Sequence, residues 1–454
     1  MSGGLVGLPG PARAAGVSAV QSPDLRGRSV WVHVLGCRSN LCEGDFLAGD
    51  LEARGALVTR DPEGCSAAVI VSCSVTAEAD RKCRQAVRRA RRTVGEFGVV
   101  AVCGCWAQGA AADEARELGA DILVGNRRKG ELTDALEAMV RDGRAFRDLR
   151  SDLLRDRRWE ELPAMRPVFH TRAFLKVQEG CDHFCSYCVI PFLRGRSVSR
   201  PADRAMDEAR RLLDAGCREI VLTGIHLGVY GRDTGSSLAE LVRALSALPG
   251  LERLRLGSLE PFALSDDLLE ALGESPVFCP HLHLPLQSGD DGVLSRMRRG
   301  YTADDFARIC GRARERLGED LHISSDVLVG FPGEDESAFG NTLRLMRRAG
   351  IGRAHVFPYS PRRGTPAASF EGRVSPAALS DRAAEAAALG NELLDAYAAR
   401  FVGRTLPVLP EGGRCSGYTP HFLPAAWGGG AEVGRSVRLR IDSASGGELR
   451  GCPV

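Results

Sequence analysis

No stretch of this chain approaches the roughly 18 consecutive apolar residues that a membrane-spanning helix requires. Excess charge is lacking too: the net is only +2. No global basic field announces a nucleic acid, and any RNA contact has to come from local patches. No secretory signal is evident, and the fifteen cysteines are odd in number and scattered. That argues against a disulfide framework and for reduced thiols and metal ligation in the cytoplasm. What the chain does have is length and apolar content, 454 residues of which 44% are hydrophobic, enough for two or three globular domains. Residues 1–27, rich in Gly, Ala, Pro and Ser, read as a disordered leader.

The most telling shortage is of a fourth ligand. Cys181, Cys185 and Cys188 lie in the run Gly180-Cys181-Asp182-His183-Phe184-Cys185-Ser186-Tyr187-Cys188. A C-x3-C-x2-C loop offers three soft thiolates, one fewer than a cubane iron–sulfur cluster can take, so one iron stays open. An amino and carboxylate pair from outside can chelate that iron, and S-adenosylmethionine supplies such a pair. The alternatives are a zinc site or a fully ligated electron-transfer cluster. Zinc wants four ligands in short knuckles, and no partner knuckle lies nearby, although His183 sits inside the loop.

Strand-like and helix-like segments alternate along the chain. Arg28–Gly36, Ala67–Val71, Gly98–Val102 and Asp121–Gly125 read as strands, with helices at about Glu43–Arg54 and Ala77–Arg92. A small parallel α/β domain over residues 28–150 is expected. The charged segment Arg141–Arg158 reads as a linker or exposed connection. Six more strands, Ala173–Val177, Glu219–Thr223, Arg253–Leu256, His281–Leu284, Ile323–Val329 and Arg353–Phe357, each followed by a plausible helix, suit a partial parallel (β/α)6 barrel over residues 165–397. Residues 398–454 are Gly-rich and β-like, a small β-barrel or a fragment of one. The fold class is α/β.

A second thiol set emerges from this layout. Cys37, Cys73 and Cys105 each follow an apolar strand of the first domain. Neighbouring parallel strands bring their C-terminal ends together, where open α/β sheets place ligands. Three turns can therefore hold a second, three-thiolate cluster, but Cys42, Cys65, Cys83 and Cys103 are close by, and cysteines are often only small buried hydrophobes.

Both thiol sets with their flanks resemble the methylthiotransferase family of radical S-adenosylmethionine enzymes over about residues 28–400. Gly36-Cys37-x-x-Asn40-x-x-Glu43, Cys73-Ser74-Val75-Thr76 with Arg84-Gln85, and Gly104-Cys105-Trp106-Ala107-Gln108 are similar to its first three motifs. The resemblance implies an auxiliary 4Fe-4S cluster on Cys37, Cys73 and Cys105, and a radical-forming one on Cys181, Cys185 and Cys188. Cys42, Cys65, Cys83 and Cys103 match no ligand position and are read as structural. The segments 222–231 (from Leu222-Thr223-Gly224), Ser258-Leu259-Glu260-Pro261, 283–290 (His283-Leu284-Pro285-Leu286-Gln287-Ser288-Gly289-Asp290) and 326–334 (from Asp326-Val327) are similar to segments lining bound S-adenosylmethionine. This implies contacts from Tyr187, Thr223 and Gly224 to its adenine and amino group. Glu260, Gln287 or Ser288 would meet the carboxylate or ribose, though Glu260 and Gln287 can equally brace the barrel mouth. His355-Val356-Phe357-Pro358-Tyr359-Ser360 and Gly417-Tyr418-Thr419-Pro420-His421-Phe422 resemble the branch acting on threonylcarbamoyladenosine in tRNA.

The implied reaction replaces an aromatic adenine C–H by a methylthio group. That hydrogen is neither acidic nor a leaving group, so cofactor radicals carry the step and no side-chain acid or base is assigned. The implied partners are a tRNA anticodon stem-loop and a reductant of flavodoxin or ferredoxin type, with adenosine 37 as target. Arg81, Lys82, Arg84, Arg88, Arg89, Arg91 and Arg92 crowd one short helix, either a solvated face or a phosphate site. Arg194, Arg196 and Arg200 follow the cluster loop and are expected to grip the stem. The tail resembles a TRAM-like RNA-binding β-barrel, and its glycine runs Gly412-Gly413 and Gly428-Gly429-Gly430 imply a reduced or incomplete one. Rival readings keep the chemistry on isopentenyladenosine in tRNA or on a ribosomal-protein side chain. A rival of another class is a non-catalytic iron–sulfur protein that binds tRNA or the ribosome.

Overall fold

Short apolar runs that end in a glycine, a serine or a thiol turn become parallel strands in the first domain. A computed structural model describes residues 24–143, 145–164, 166–167, 171–411, 415–430 and 435–454. The first sheet contains β1 (Ser29–Val34), β2 (Leu57–Thr59), β3 (Ala67–Ser72), β4 (Val99–Gly104), β5 (Ile122–Val124) and β6 (Arg147–Leu149), all parallel, in the order β2-β1-β3-β4-β5-β6. Every residue of β3 and β4 is buried, as strands covered on both faces must be.

Three details differ from the reading of the sequence. The segment Arg141–Arg158 is no mere linker, because Arg147–Leu149 pairs with β5 as the sixth strand. An edge strand has one neighbour and an exposed flank, so it tolerates the charges that disguised it. The helix expected from Glu43 runs from Arg38 to Ala53; its first turn is polar and lacks the apolar spacing that marks the rest. Of the expected leader, residues 1–23 lie outside the described residues, while Leu25 is fully buried in the core of this domain.

The central domain adds β7 (Ala173–Lys176), a short antiparallel pair β8 (Gln178–Glu179) and β9 (Val198–Ser199), then β10 (Glu219–Thr223), β11 (Arg253–Leu256), β12 (His281–His283), β13 (His322–Val329) and β14 (Arg353–Pro358). Two three-stranded parallel sheets, β11-β10-β7 and β12-β13-β14, are joined through parallel bridges at Leu254–Phe278 and Ser258–His283. Together they form the expected six-stranded partial barrel. Its outer face packs Leu175, Ile220, Leu222, Leu254, Leu282 and Ile323 under the helices.

The tail is a complete barrel, which corrects the expectation of a reduced one. Strands β15 (Thr405–Pro410), β16 (Ser416–Tyr418), β17 (Pro424–Trp427), β18 (Val437–Ser445) and β19 (Glu448–Pro453) close in the order β15-β16-β17-β19-β18. Phe401, Val408, Leu423, Leu439, Ile441 and Leu449 fill it. Glycine permits the closure: a Cβ on Gly417 or Gly451 would collide with the carbonyl of Leu409 or Arg440 across the ladder.

This barrel docks on the N-terminal ends of the central strands. Arg253 donates to the carbonyls of Tyr418 (2.7 Å) and Pro407 (3.0 Å), and Arg255 to those of Pro420 (2.6 Å) and Thr419 (2.7 Å). Glu219 neutralises both guanidiniums, at 3.5 and 2.7 Å. The His322 Nδ1–H donates to the His421 carbonyl at 2.7 Å, and its ring stacks on Tyr397 at 4.4 Å.

Burial pulls His322 down to about 3 and His421 to about 4 from 6.5. Both are neutral in the fold, whereas the unfolded chain takes up protons below its own pKa. Their contribution is therefore intact above pH 6.5 and is lost progressively as pH falls from 6.5 towards about 3. Urea midpoints should fall between pH 7 and pH 5, less steeply in His421→Gln; equal slopes in the two proteins would contradict this.

Candidate active site

The order β1-β3-β4 makes the three thiol-bearing turns of the first sheet adjacent. Cys37 follows β1, Cys73 follows β3 and Cys105 follows β4, and the three lie close enough to perturb one another electrostatically. Gly36, at φ 101°, brings the first turn against the second: a Cβ there would stand 2.7 Å from the Cys73 Sγ. Asn40 ties the turns together by donating to the carbonyls of Leu35 and Ser72, the latter at 3.0 Å. Burial pushes the Cys73 thiol up to about 11. Cys37 is exposed, so the triad opens on one side. Cys83 is a brace: its Sγ bonds both the amide (3.2 Å) and the carbonyl (3.0 Å) of Cys73. Cys42 donates to the Phe174 carbonyl at 3.2 Å, and Cys103 is buried in β4.

The second triad sits on the loop after β8. Gly180 takes φ 73° and has no room for a side chain against the Arg196 carbonyl. The Cys181 Sγ lies 3.7 Å from His226 Nδ1 and accepts from the His183 amide at 3.4 Å. Arg299, fully buried and not singled out by sequence reasoning, donates to the Cys185 Sγ at 3.3 Å and pairs with Glu260. Burial raises Cys181 to about 11 and Cys188 to about 12, and on Cys185 the Arg299 charge opposes the same effect. Ligation requires thiolates, so loading releases protons, and each triad has a guanidinium placed to favour the anion.

Arg194 is that guanidinium for the first triad. It ends the helix Ile190–Arg194, which begins two residues after Cys188, and donates to the Cys105 Sγ at 3.1 Å. It also pairs with Glu43 (2.7 Å) and Glu179 (3.0 Å) and donates to Asn40. Lys129 and Lys176 complete the cluster on Glu43 at 3.0 and 2.8 Å. Arg194, Glu43 and Lys129 are all inaccessible to water. Burial acts against the carboxylates, but the cations outweigh it: Glu43 is held well below its usual range and Glu179 at about 2. These five groups carry three cations and two carboxylates, and burial keeps the Cys105 thiol above its ordinary value although the Arg194 charge opposes this. Val189 and Leu193 pack on Cys105, and Asn126 donates to the Leu193 carbonyl at 2.6 Å.

Two expected RNA contacts are thereby overturned. Arg194 is committed to this network, and Arg200, 2% exposed, pairs with Glu161 and Glu208. A guanidinium with two buried carboxylate partners is not free to meet a phosphate. Arg196 is half-exposed, paired with Asp182 at 2.9 Å and set over Phe184. Arg84 pairs with Glu114 at 2.6 Å, while Arg88 is exposed.

Among the residues expected at S-adenosylmethionine, Thr223 and Gly224 stand at the end of β10, with Gly224 pressed on Gln178. The Tyr187 ring packs on Phe331, leaving its backbone to the loop. Gln287 adopts φ 64°, a strained conformation of the kind that collects at functional sites. Ser288 is a correction: it is fully buried and its hydroxyl serves the Asp290 amide (3.2 Å) and Thr342 (3.4 Å). Glu260 braces Arg299. A further polar group inside the barrel brings together residues from separate segments that the sequence marks only singly. His283 meets Ser324 at 2.9 Å and Asp326 at 3.3 Å, with the His355 ring 5.7 Å away.

Cys37, Cys73 and Cys105 are free thiols on adjacent turns, and Cys181, Cys185 and Cys188 are free thiols on one loop. Soft donors of this kind suit an iron–sulfur cluster, although as they stand no three His, Cys, Asp or Glu side chains among the described residues converge closely enough to hold a metal ion. Residues 175–346 match the Radical SAM superfamily, and residues 29–125 match a family described as uncharacterized protein family UPF0004. The radical S-adenosylmethionine methyltransferase TsrM from Kitasatospora setae, solved with cobalamin and a 4Fe-4S cluster, shares the fold, with a TM-score of 0.57 over 75% of this chain and 77% of its own at 16% identity. The matched segment is that of the radical S-adenosylmethionine superfamily, whose members use a 4Fe-4S cluster.

Among curated relatives, the threonylcarbamoyladenosine tRNA methylthiotransferase MtaB of Bacillus subtilis (strain 168) is 35% identical over 424 residues, 91% of this chain and 93% of its own length. MtaB of Thermotoga maritima is 33% identical over 432 residues, 92% and 95%. A tRNA-2-methylthio-N(6)-dimethylallyladenosine synthase of Jannaschia sp. (strain CCS1) is 37% identical over 390 residues, 85% and 84%. The chain belongs to the radical S-adenosylmethionine methylthiotransferases that act on tRNA, enzymes that carry an additional iron–sulfur cluster.

Replacing Glu43 by Gln would leave Arg194, Lys129 and Lys176 buried with one carboxylate between them. Removing one partner of a buried ion pair costs about 3–5 kcal/mol. A large drop in the urea midpoint of Glu43→Gln is expected, and a change under about 1 kcal/mol would show that the network contributes little.

Proposed function

We propose that this protein converts N6-threonylcarbamoyladenosine at tRNA position 37 to its 2-methylthio derivative. The observation that supports the reading is a pair of three-thiol sites connected by the short helix that runs from the second triad to Arg194, whose guanidinium meets Cys105 of the first. The choice of nucleoside is supported by the resemblance of His355–Ser360 and Gly417–Phe422 to the threonylcarbamoyladenosine branch. The Jannaschia relative favours a second reading, in which the substrate is the dimethylallyl nucleoside.

In this reading Cys181, Cys185 and Cys188 hold one cluster, and Cys37, Cys73 and Cys105 the other. Bound clusters and S-adenosylmethionine supply the one-electron chemistry that an aromatic C–H demands. The chain itself holds and orients. Arg299 steadies Cys185 and fixes Glu260 at the barrel mouth. Arg194 does the same for Cys105 and sets the spacing between the triads. Thr223, Gly224 and Gln287 line the end of the barrel where S-adenosylmethionine sits. Arg88 and Arg196 meet phosphates of the anticodon stem, and the target base is drawn from the loop, where unstacking costs least. A flavodoxin- or ferredoxin-type protein delivers the electron in the cytoplasm. No helix among the described residues is long and apolar enough to cross a membrane.

Nucleoside mass spectrometry on tRNA from a host without its own methylthiotransferases, with and without this protein, tests the reading. A new 2-methylthio-threonylcarbamoyladenosine peak is expected. A 2-methylthio-dimethylallyladenosine peak instead would establish the second reading, and no new peak from cluster-loaded protein would contradict both. Cys185→Ala should abolish deoxyadenosine formation, whereas Cys73→Ala should spare it and stop sulfur insertion. Insertion by Cys73→Ala would overturn the auxiliary site.

A further inference from the structure

Three deeply placed arginines around the site each meet a carboxylate: Arg194 meets Glu43, Arg255 meets Glu219 and Arg299 meets Glu260. Arg38 is different. Among the described residues no carboxylate lies within ion-pair distance of it, and its close partner is the ring of Phe422, 5.8 Å from the guanidinium carbon. Arg172 and Arg255 stand over the same ring at 5.2 and 5.1 Å, each neutralised by Glu411 or Glu219. Arg38 is thus a third cation beside two that are already satisfied, and only Asp326 and the Cys37 thiol attract it from a distance. Such a charge is expensive to keep without an anion.

The place is open. Arg38 is half-buried, Cys37 beside it is exposed, and His355, within electrostatic reach, is exposed together with Phe357. Adenine chemistry connects these facts. C2 and C6 of the base flank a single ring nitrogen, so whatever recognises the N6 substituent lies within a base width of the sulfur donor. Arg38 adjoins Cys37. A threonylcarbamoyl group carries a carboxylate, and a dimethylallyl group carries no charge.

We propose that Arg38 is a specificity residue that binds the carboxylate of the N6 substituent on the substrate adenosine. The proposal rests on the substrate and auxiliary-site readings above. The guanidinium fork suits a carboxylate in bidentate fashion, and the Phe422 ring pre-orders it. Phe422 comes from the segment Gly417–Phe422, so the C-terminal barrel helps to select the nucleoside as well as to hold RNA.

The test uses full-length, cluster-loaded protein and two synthetic anticodon stem-loops. One bears threonylcarbamoyladenosine at position 37; the other bears the same nucleoside with its carboxylate converted to a carboxamide. Wild type should bind the carboxylate form about tenfold or more tightly, the scale of a charge-assisted hydrogen bond. Arg38→Gln should bind both at the carboxamide level, and Arg38→Lys, a point charge without the fork, should keep part of the preference. Equal binding of both stem-loops by wild type overturns the proposal without any variant, which covers the case in which Arg38→Gln loads iron poorly. An equal loss on both stem-loops in Arg38→Gln also overturns it, since that marks a backbone phosphate contact. Turnover separates the layers: wild type that never methylthiolates the carboxylate form refutes the substrate reading, whereas turnover with no carboxylate preference refutes Arg38 alone.

Discussion

One guanidinium joins the two halves of this active site. Arg194 belongs by sequence to the Cys181–Cys188 loop of the central barrel and by contact to the thiol turns of the first domain, where it touches Cys105, Asn40 and Glu43. Five residues separate it from Cys188. The spacing between the two triads is therefore set by a short helix and a buried ion pair, not by a flexible connection. Buried pairs are weak sources of stability but strong specifiers of arrangement when each charge is matched. Here the five charged side chains are one negative charge short, and burial holds the Cys105 thiol above its ordinary value.

The same economy governs the far end of the barrel. Glu219 holds Arg253 and Arg255, whose remaining N–H groups satisfy carbonyls of the C-terminal barrel. The domains are linked through charged groups that meet carboxylates and carbonyls, while a few polar groups keep spare capacity. Arg38, Gln287 and the exposed Cys37 are the clearest of these. Strain and unmet charge are concentrated where substrate has to enter, as is common where a fold supports chemistry.

Much of this was legible in the residues. Period and punctuation marked ten central strands of the two α/β domains, and cysteines at strand ends indicated the thiol sites. The misses have physical causes. Arg147–Leu149 is an edge strand whose charges imitate a linker. The glycine runs Gly412-Gly413 and Gly428-Gly429-Gly430 read as interruptions, yet the last barrel closes, with Gly417 and Gly451 giving its strands the close approach they need. Arg194 and Arg200 were taken for RNA contacts because burial of a charge depends on carboxylates more than one hundred residues away, or, for Arg200, on a partner in a segment that reads as loop. Arg299 carries no local signature, and the sequence marks the segments that hold His283 and Asp326 without showing that the barrel pairs them.

Crystals of iron-loaded protein measured at the iron absorption edge would test the central claim most directly. Two anomalous peaks are predicted, one enclosed by Cys37, Cys73 and Cys105 and one by Cys181, Cys185 and Cys188, with Arg194 beside the first. A single peak at the second triad, or density on Cys83 or Cys103 in place of the first triad, would contradict it.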